Sequence, residues 1–268
     1  MFDDGSAEYG TVAESVLGLE VALSDGRLVP TGSRANRGGK PFFRHYGPDL
    51  TGVFLSDTGA LGLKVEATIR LIRAPQFTEY ASFSFADFYD LAKAQTEIGR
   101  AGLTAECFGL DPYLNGKRWI PIHACLPASK LVPVYEATIA YFKSKQDVLD
   151  KYKINTSHLT GSSGTDIVFE PAFYYPDALK TFHLRNLEPA DAEKYKDLPA
   201  VPGATDAVIG MLGDLAEIFI EHGAVNQQIG KFYPYKDAMA ADTWSLLEDI
   251  KRSVDPDGLM NPGSLGLE

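Results

Sequence analysis

The sequence predicts an α+β chain in which antiparallel strands build a sheet and helices pack over one face of it. Three observations lead there. Strand-like runs and amphipathic helical stripes alternate along the chain. An Asp25-Gly26 pair separates two apolar runs near the start, where a tight hairpin needs positive φ. The chain ends on a helical stripe followed by a turn-dense tail.

Taken in order, residues 16–23 are apolar and branched, as a largely buried strand requires. Leu28 and Val29 begin the return strand after the turn, and residues 30–47 read as a loop bearing glycine and arginine. Residues 47–68 give a short apolar turn of helix, a glycine-punctuated loop and a strand over 61–72, with Pro75 closing the block. Gly59 and Gly62 leave little side chain between that loop and whatever lies against it.

In the second block, residues 80–85 alternate as a strand, and Phe88, Leu91, Ala92 and Ile98 share one helical face, with Gly102 as its C-cap. Residues 103–110, 119–126 and 167–175 are strand candidates. Pro133 opens a helix carrying Val134, Ala137, Thr138, Tyr141 and Phe142 on one face. Val208, Met211, Leu212, Leu215 and Phe219 form another stripe, closed by Gly223, and 224–229 returns as a strand. The polar segments 143–165 and 187–203 read as exposed excursions. Trp244, Leu247, Ile250 and Val254 form the last stripe, and so ordered a tail should dock onto something.

Composition narrows the function. With 268 residues the chain can bury a sizeable core. A net charge of −11 argues against a nucleic-acid surface and against anionic membranes. No run is long and apolar enough for a membrane span, and the start lacks the pattern of a signal peptide. Cys107 and Cys125 lack metal-ligand spacing and read as buried thiols, so a cytoplasmic setting and no metal site are expected.

Four motifs in order carry a resemblance: Tyr9-Gly10-Thr11; Val16-Leu17-Gly18-Leu19-Glu20-Val21 with Asp25-Gly26; the 47–68 stretch; and Asp255-Pro256-Asp257-Gly258-Leu259-Met260-Asn261-Pro262-Gly263. Together they resemble the FAD-linked oxidases of the vanillyl-alcohol oxidase (PCMH-type) superfamily, which includes the flavin subunit of glycolate oxidase, D-lactate dehydrogenases and 4-cresol dehydrogenase. The resemblance implies the second half of a PCMH-type FAD-binding domain over 1–75, a ferredoxin-like α+β cap over 76–250, and a C-terminal return to the flavin domain over 251–268. The family's first half, whose glycine-rich loop cradles the pyrophosphate, has no counterpart in these motifs. A truncated product or one subunit of a split enzyme, paired with a chain that supplies that half, is therefore expected.

By the same resemblance, Thr58, Gly59, Ala60, Leu61, Gly62 and Leu63 would contact FAD, Gly10 and Val16 would lie near its other side, and Asn261 would return beside the flavin ring. Without the family, the glycines and Asn261 read equally as turn residues. For chemistry, a base near neutrality directs attention to histidine. His123 is the candidate, with a core histidine as the alternative. His222 sits at a helix end where a cation favours the dipole, and His45 and His158 lie in loop and polar sequence. Lys231, Tyr233 and Tyr235 could supply a cation for a substrate carboxylate and a phenol for proton transfer, or simply snorkel and pack at a strand end.

The expected function is FAD-dependent oxidation of a small hydroxy acid or alcohol. Phenolic alcohols are the alternative substrates, a silent chain needing a partner is the alternative role, and a flavin-free binding module is a third. One departure bears on the substrate. Glycolate-oxidase-like relatives carry a Gly-His-x-Gly-Asp-Gly-Asn-x-His motif on the late strand, whereas residues 223–230 here contain no histidine.

Overall fold

The computed structural model describes residues 6–102, 104–105, 107–110, 117–164, 166–226 and 229–268. They form two compact units, Met1–Ala86 with Gln228–Glu268, and Asp87–Gln227.

The first unit begins with two short helices, α1 (Ser6–Tyr9) and α2 (Val12–Ser15), which lead into β1 (Val16–Ala22). A hairpin closed by the Leu23 amide on the Arg27 carbonyl, with Gly26 at φ +84°, returns the chain as β2 (Leu28–Pro30). After the single-turn helix α3 (Leu50–Val53), capped by the Asp49 side chain, the chain re-enters as β3 (Leu63–Ile69). The sheet is antiparallel in the order β2-β1-β3, with Ala22 opposite Leu63 and Val16 opposite Ile69.

The second unit opens with α4 (Phe88–Ala101), whose C-cap Gly102 is left-handed. Then follow β4 (Phe108–Leu110), β5 (Arg118–Pro121), β6 (Ala124–Pro127), α5 (Leu131–Ser144), α6 (Gln146–Tyr152), β7 (Asn155–Ser163) and β8 (Asp166–Tyr175). Two short helices, α7 (Thr181–Arg185) and α8 (Pro189–Tyr195), precede the long α9 (Ala204–Glu221). Its sheet runs β4-β7-β8-β5, and β6 also pairs with β8. Side chains alternate between the faces of a strand. Phe169 and Phe173 of β8 meet Phe88, Phe142 and Phe219, so α4, α5 and α9 cover the same face. The chain then returns to the first unit as α10 (Tyr235–Ala238) and α11 (Ala241–Val254).

Four sequence expectations are corrected. Residues 80–85 form no strand; Tyr80 is 89% exposed and Phe83 71% exposed, because alternation makes a strand only where a sheet edge accepts it. The 143–165 segment is no excursion. It holds α6 and β7, and β7 lies inside the sheet with nine residues registered on β8, its polarity outweighed by ladder pairing. The strand expected over 119–126 breaks into β5 and β6 around Ile122 and His123. The strand expected over 224–229 reduces to a single bridge between Cys125 and Val225, with 227 and 228 outside the described residues.

One core organises the first unit. Val16, Leu19, Val21, Leu23, Phe54, Ala60 and Leu61 pack with Leu265 and Leu267 of the tail, and Trp244, Leu247, Ile250 and Val254 of α11 lie against them. The last helical stripe and the tail thus bury themselves on the strands formed more than 170 positions earlier, and long-range apolar burial fixes this unit.

Candidate functional site

The loop between α3 and β3 is built around one buried carboxylate. Asp57 accepts hydrogen bonds from the amides of Gly59 and Leu61, each 3.1 Å, and from the Lys64 ammonium, while the Ala60 amide donates to its carbonyl. These bonds hold Ser56 at φ +57° and Thr58 at φ +50°, left-handed conformations that cost L-residues about 1–2 kcal/mol each. Ala60 and Leu61 point into the core. Gly62 is small for a packing reason, since a Cβ there would meet Val21 Cγ1 at 2.6 Å. Gly59 is different. It sits at φ +81°, and a Cβ at this position would meet nothing nearer than Asn261, at 3.9 Å, so its outer side is open.

The C-terminal segment clamps this loop. Lys251 of α11 is buried and donates to the Ala60 carbonyl at 2.9 Å, the Met260 carbonyl at 2.9 Å and Asp255 at 2.5 Å. Asp255 also accepts from the amides of Leu259 and Met260. Burial by itself would raise the Asp255 pKa, but the Lys251 hydrogen bond and the two amides hold it down at about 2. Asn261, at φ +39°, donates to the Thr58 carbonyl at 2.7 Å, and the Ser264 and Thr58 hydroxyls are hydrogen-bonded to each other. Thr58, Gly59 and Asn261 are therefore brought together.

Gly10 and Val16 lie at the other end of β1, about 20 Å away by the rise of the strand. Val16 lines a cavity of ≈ 300 Å³ together with Arg44, His45, Arg70, Phe42 and Phe43. Arg44 is committed to Asp49 and to the Ala13 carbonyl. Between the two ends runs the outer face of β3, where Leu63, Val65 and Ile69 are exposed. Lys231 is exposed, Tyr233 is half-buried beside Phe232, and Tyr235 packs against the core at the start of α10.

His123 lies in the second unit. It sits in the break between β5 and β6, where the register on β8 places it opposite Glu170. Its Nε2 is 2.5 Å from Glu170 Oε2, and both side chains are buried, at 6% and 9% exposure. The pair occupies the sheet face away from α4, α5 and α9. Cys107 and Cys125 have thiol pKa values pushed up by burial, which keeps them protonated and inert.

Asp57, Lys251, Asp255 and Glu170 were missed from sequence. Two of them left a signal. Lys251 falls four residues after Leu247, on the apolar stripe of its helix, and Glu170 interrupts the apolar run 167–175. No described helix is long and apolar enough to cross a membrane, and no group of three or more His, Cys, Asp or Glu suited to a metal occurs among the described residues.

Residues 199–265 match the family described as FAD linked oxidases, C-terminal domain. The probable mitochondrial D-lactate dehydrogenase of Danio rerio is 35% identical over 98 residues, covering 37% of this chain and 19% of that protein. An uncharacterised FAD-linked oxidoreductase of Mycobacterium tuberculosis is 26% identical, covering 96% of this chain and 66% of that protein. Among solved structures, the 4-ethylphenol oxidase of Gulosibacter chungangensis superposes with a TM-score of 0.63 at 14% identity, over 98% of this chain and 69% of its own. The chain thus spans a fifth to two thirds of the length of these curated relatives. Residues 199–265 thus match the C-terminal domain of FAD-linked oxidases, and the chain is similar in sequence to D-lactate dehydrogenases and FAD-linked oxidoreductases and in fold to an oxidase of known structure.

Proposed function

We propose that the chain takes part in FAD-dependent oxidation of a small hydroxy acid, with the flavin held along the first unit. The observation that carries this reading is the clamped loop, in which the C-terminal Asn261 is bonded to Thr58 beside the open side of Gly59. An elongated dinucleotide suits a site whose candidate contacts, Gly10 and Val16 at one end and Thr58 to Leu63 with Asn261 at the other, are separated by a full strand. The exposed apolar face of β3 offers a flat surface for planar rings between them. Bound FAD would accept a hydride from the substrate carbon. The chain's own residues would orient the substrate and exclude water, with Lys231, Tyr233 and Tyr235 of the first unit as candidate partners of its polar groups; His123, in the second unit, is the candidate base by sequence. The hydroxy-acid class is supported by the D-lactate dehydrogenase and glycolate oxidase relatives.

A second reading is that this chain is silent alone and needs a partner that supplies diphosphate donors. It is favoured by the loop itself, because Asp57 already uses the amides of Gly59, Ala60 and Leu61, which leaves them unavailable to a phosphate. The test mixes the full chain with FAD, removes unbound flavin by gel filtration, and adds D-lactate, glycolate or 4-ethylphenol without oxygen. Retained flavin bleached by D-lactate or glycolate is the expected result. Bleaching by 4-ethylphenol alone would move the substrate to phenols, and a colourless protein fraction would favour the partner-dependent reading.

A further inference from the structure

The segment between β8 and α9 leaves the second unit through a narrow neck and returns through the same one. Asp177 Oδ1 accepts from the amides of Ala178 and Val201, at 2.9 and 3.0 Å, so one carboxylate joins the two ends of 178–200. Its Oδ2 accepts from Arg118 Nη1 and from the Thr205 hydroxyl, each 2.9 Å, which ties the neck to β5 and to the first turn of α9. Burial would raise the Asp177 pKa, but its bonds to Val201, Thr205, Ala178 and Arg118 hold it below the ordinary carboxylate value, so the neck stays charged near neutrality. Beyond the neck the segment holds α7 and α8, and neither helix has a buried residue. Its order therefore rests on local bonds. The first of these lies at the start of α7. The Lys180 amide, at the N-cap position, donates to Nδ1 of His183, three residues on, at 3.0 Å. Glutamate or glutamine ordinarily supplies this reach-back acceptor at a helix start. A histidine does so only while Nδ1 is unprotonated, because an imidazolium has no lone pair left to accept with.

We propose that His183 is a pH-sensitive catch on segment 178–200, closed while its imidazole is neutral and released when Nδ1 takes a proton. The catch is independent of the flavin reading above. Protonation acts twice. It removes the acceptor of the Lys180 amide, and it places a new cation among groups already positive. Burial, then Arg118 of β5 and Lys180, lower the His183 pKa from its ordinary 6.5, and Asp177 works against them. The helix α7 carries one more charge, Arg185, and α8, packed on it, carries Asp191, Glu193 and Lys194, all exposed to solvent. The folded chain thus binds a proton at His183 less readily than the unfolded one does. The stabilisation from this bond is present in full above pH 6.5 and is lost as the pH falls through the folded midpoint. Asp177 keeps its charge over that range, so the neck holds. What opens is α7 and the chain beyond it, not β8 or α9.

The test uses the full chain. NMR follows the His183 ring from pH 8 to pH 5, and hydrogen exchange, corrected for the intrinsic effect of pH, follows the amides of 180–195 beside those of α9. The His183 midpoint should lie below 6.5. Across it, exchange of the Lys180 amide and of α7 should speed up about fivefold, the worth of one lost cap, while α9 stays protected. Two variants separate the catch from its surroundings. His183→Gln offers an acceptor at every pH and should show no rise in acid. His183→Leu offers none and should exchange at pH 8 as fast as the native segment does at pH 5. A native segment whose exchange is the same on both sides of the midpoint overturns the proposal. So does an acid rise that persists in His183→Gln, which would assign the titration to another group. A midpoint at or above 6.5 overturns it as well, and so does an α9 that loosens together with α7, which would make the opening global.

Discussion

Lys251→Met asks how much of the first unit depends on the clamp between α11 and the Asp57 loop. Methionine keeps the length and apolar stem of lysine and removes the ammonium. Three bonds are lost at once: to Asp255 at 2.5 Å and to the carbonyls of Ala60 and Met260 at 2.9 Å each. Asp255 is 2% exposed and would remain as a buried charge held by two backbone amides. Removing one partner of a buried pair costs about 3–5 kcal/mol, mostly through the charge left behind.

The pH dependence gives a sharper signature. In the native protein the folded pKa of Asp255 is about 2 against an ordinary 3.8, so it binds protons less readily when folded. Its stabilisation, about 2 kcal/mol, is therefore present above pH 3.8 and is lost as the pH falls toward 2. In Lys251→Met burial dominates and the folded pKa rises above the unfolded one. The sign reverses, and the variant's deficit is largest near neutrality and shrinks as the pH falls through 4. Urea unfolding at pH 7 and pH 4, followed by tryptophan fluorescence in a Trp119→Phe background so that Trp244 alone reports, measures both. Lys251→Met/Asp255→Leu should recover at least about 1 kcal/mol of the single-variant loss at pH 7. A loss below about 1 kcal/mol at pH 7, or one independent of pH, would refute the argument.

The two loop glycines should respond differently. Gly62→Ala drives a methyl against Val21 and should cost about 1–3 kcal/mol by overpacking. Gly59→Ala has room and should cost only the positive-φ strain, about 1–2 kcal/mol, so any loss of FAD retention beyond that reports an obstructed ligand approach. Asp57→Ala should cost about 2–3 kcal/mol and accelerate hydrogen exchange at Gly59 and Leu61, whose amides lose their acceptor. Thr160 is fully buried, and its hydroxyl has no hydrogen-bond partner among the described residues; Thr160→Val should be neutral or stabilising by up to about 1 kcal/mol in thermal denaturation.

Local and patterned features were legible in the amino-acid order. The Asp25-Gly26 hairpin, the left-handed Gly102 cap and the stripes of α4, α5, α9 and α11 follow from turn geometry and helical periodicity. The ordered motifs brought out the FAD-linked family because they record a whole fold rather than one contact. The central strand β7 could not be read, because a run of Asn, Thr and Ser becomes a strand only when neighbouring strands pair with it on both sides. The same limit hid the chemistry. Gly59 and Gly62 look equivalent in sequence, yet one faces open space and the other packs on Val21, a distinction set by where β1 lies. Lys251 meets Ala60 across 191 positions, and Glu170 meets His123 across a strand register. Burial and pairing of charges depend on which distant segments share a volume, and that is settled only once the chain has folded.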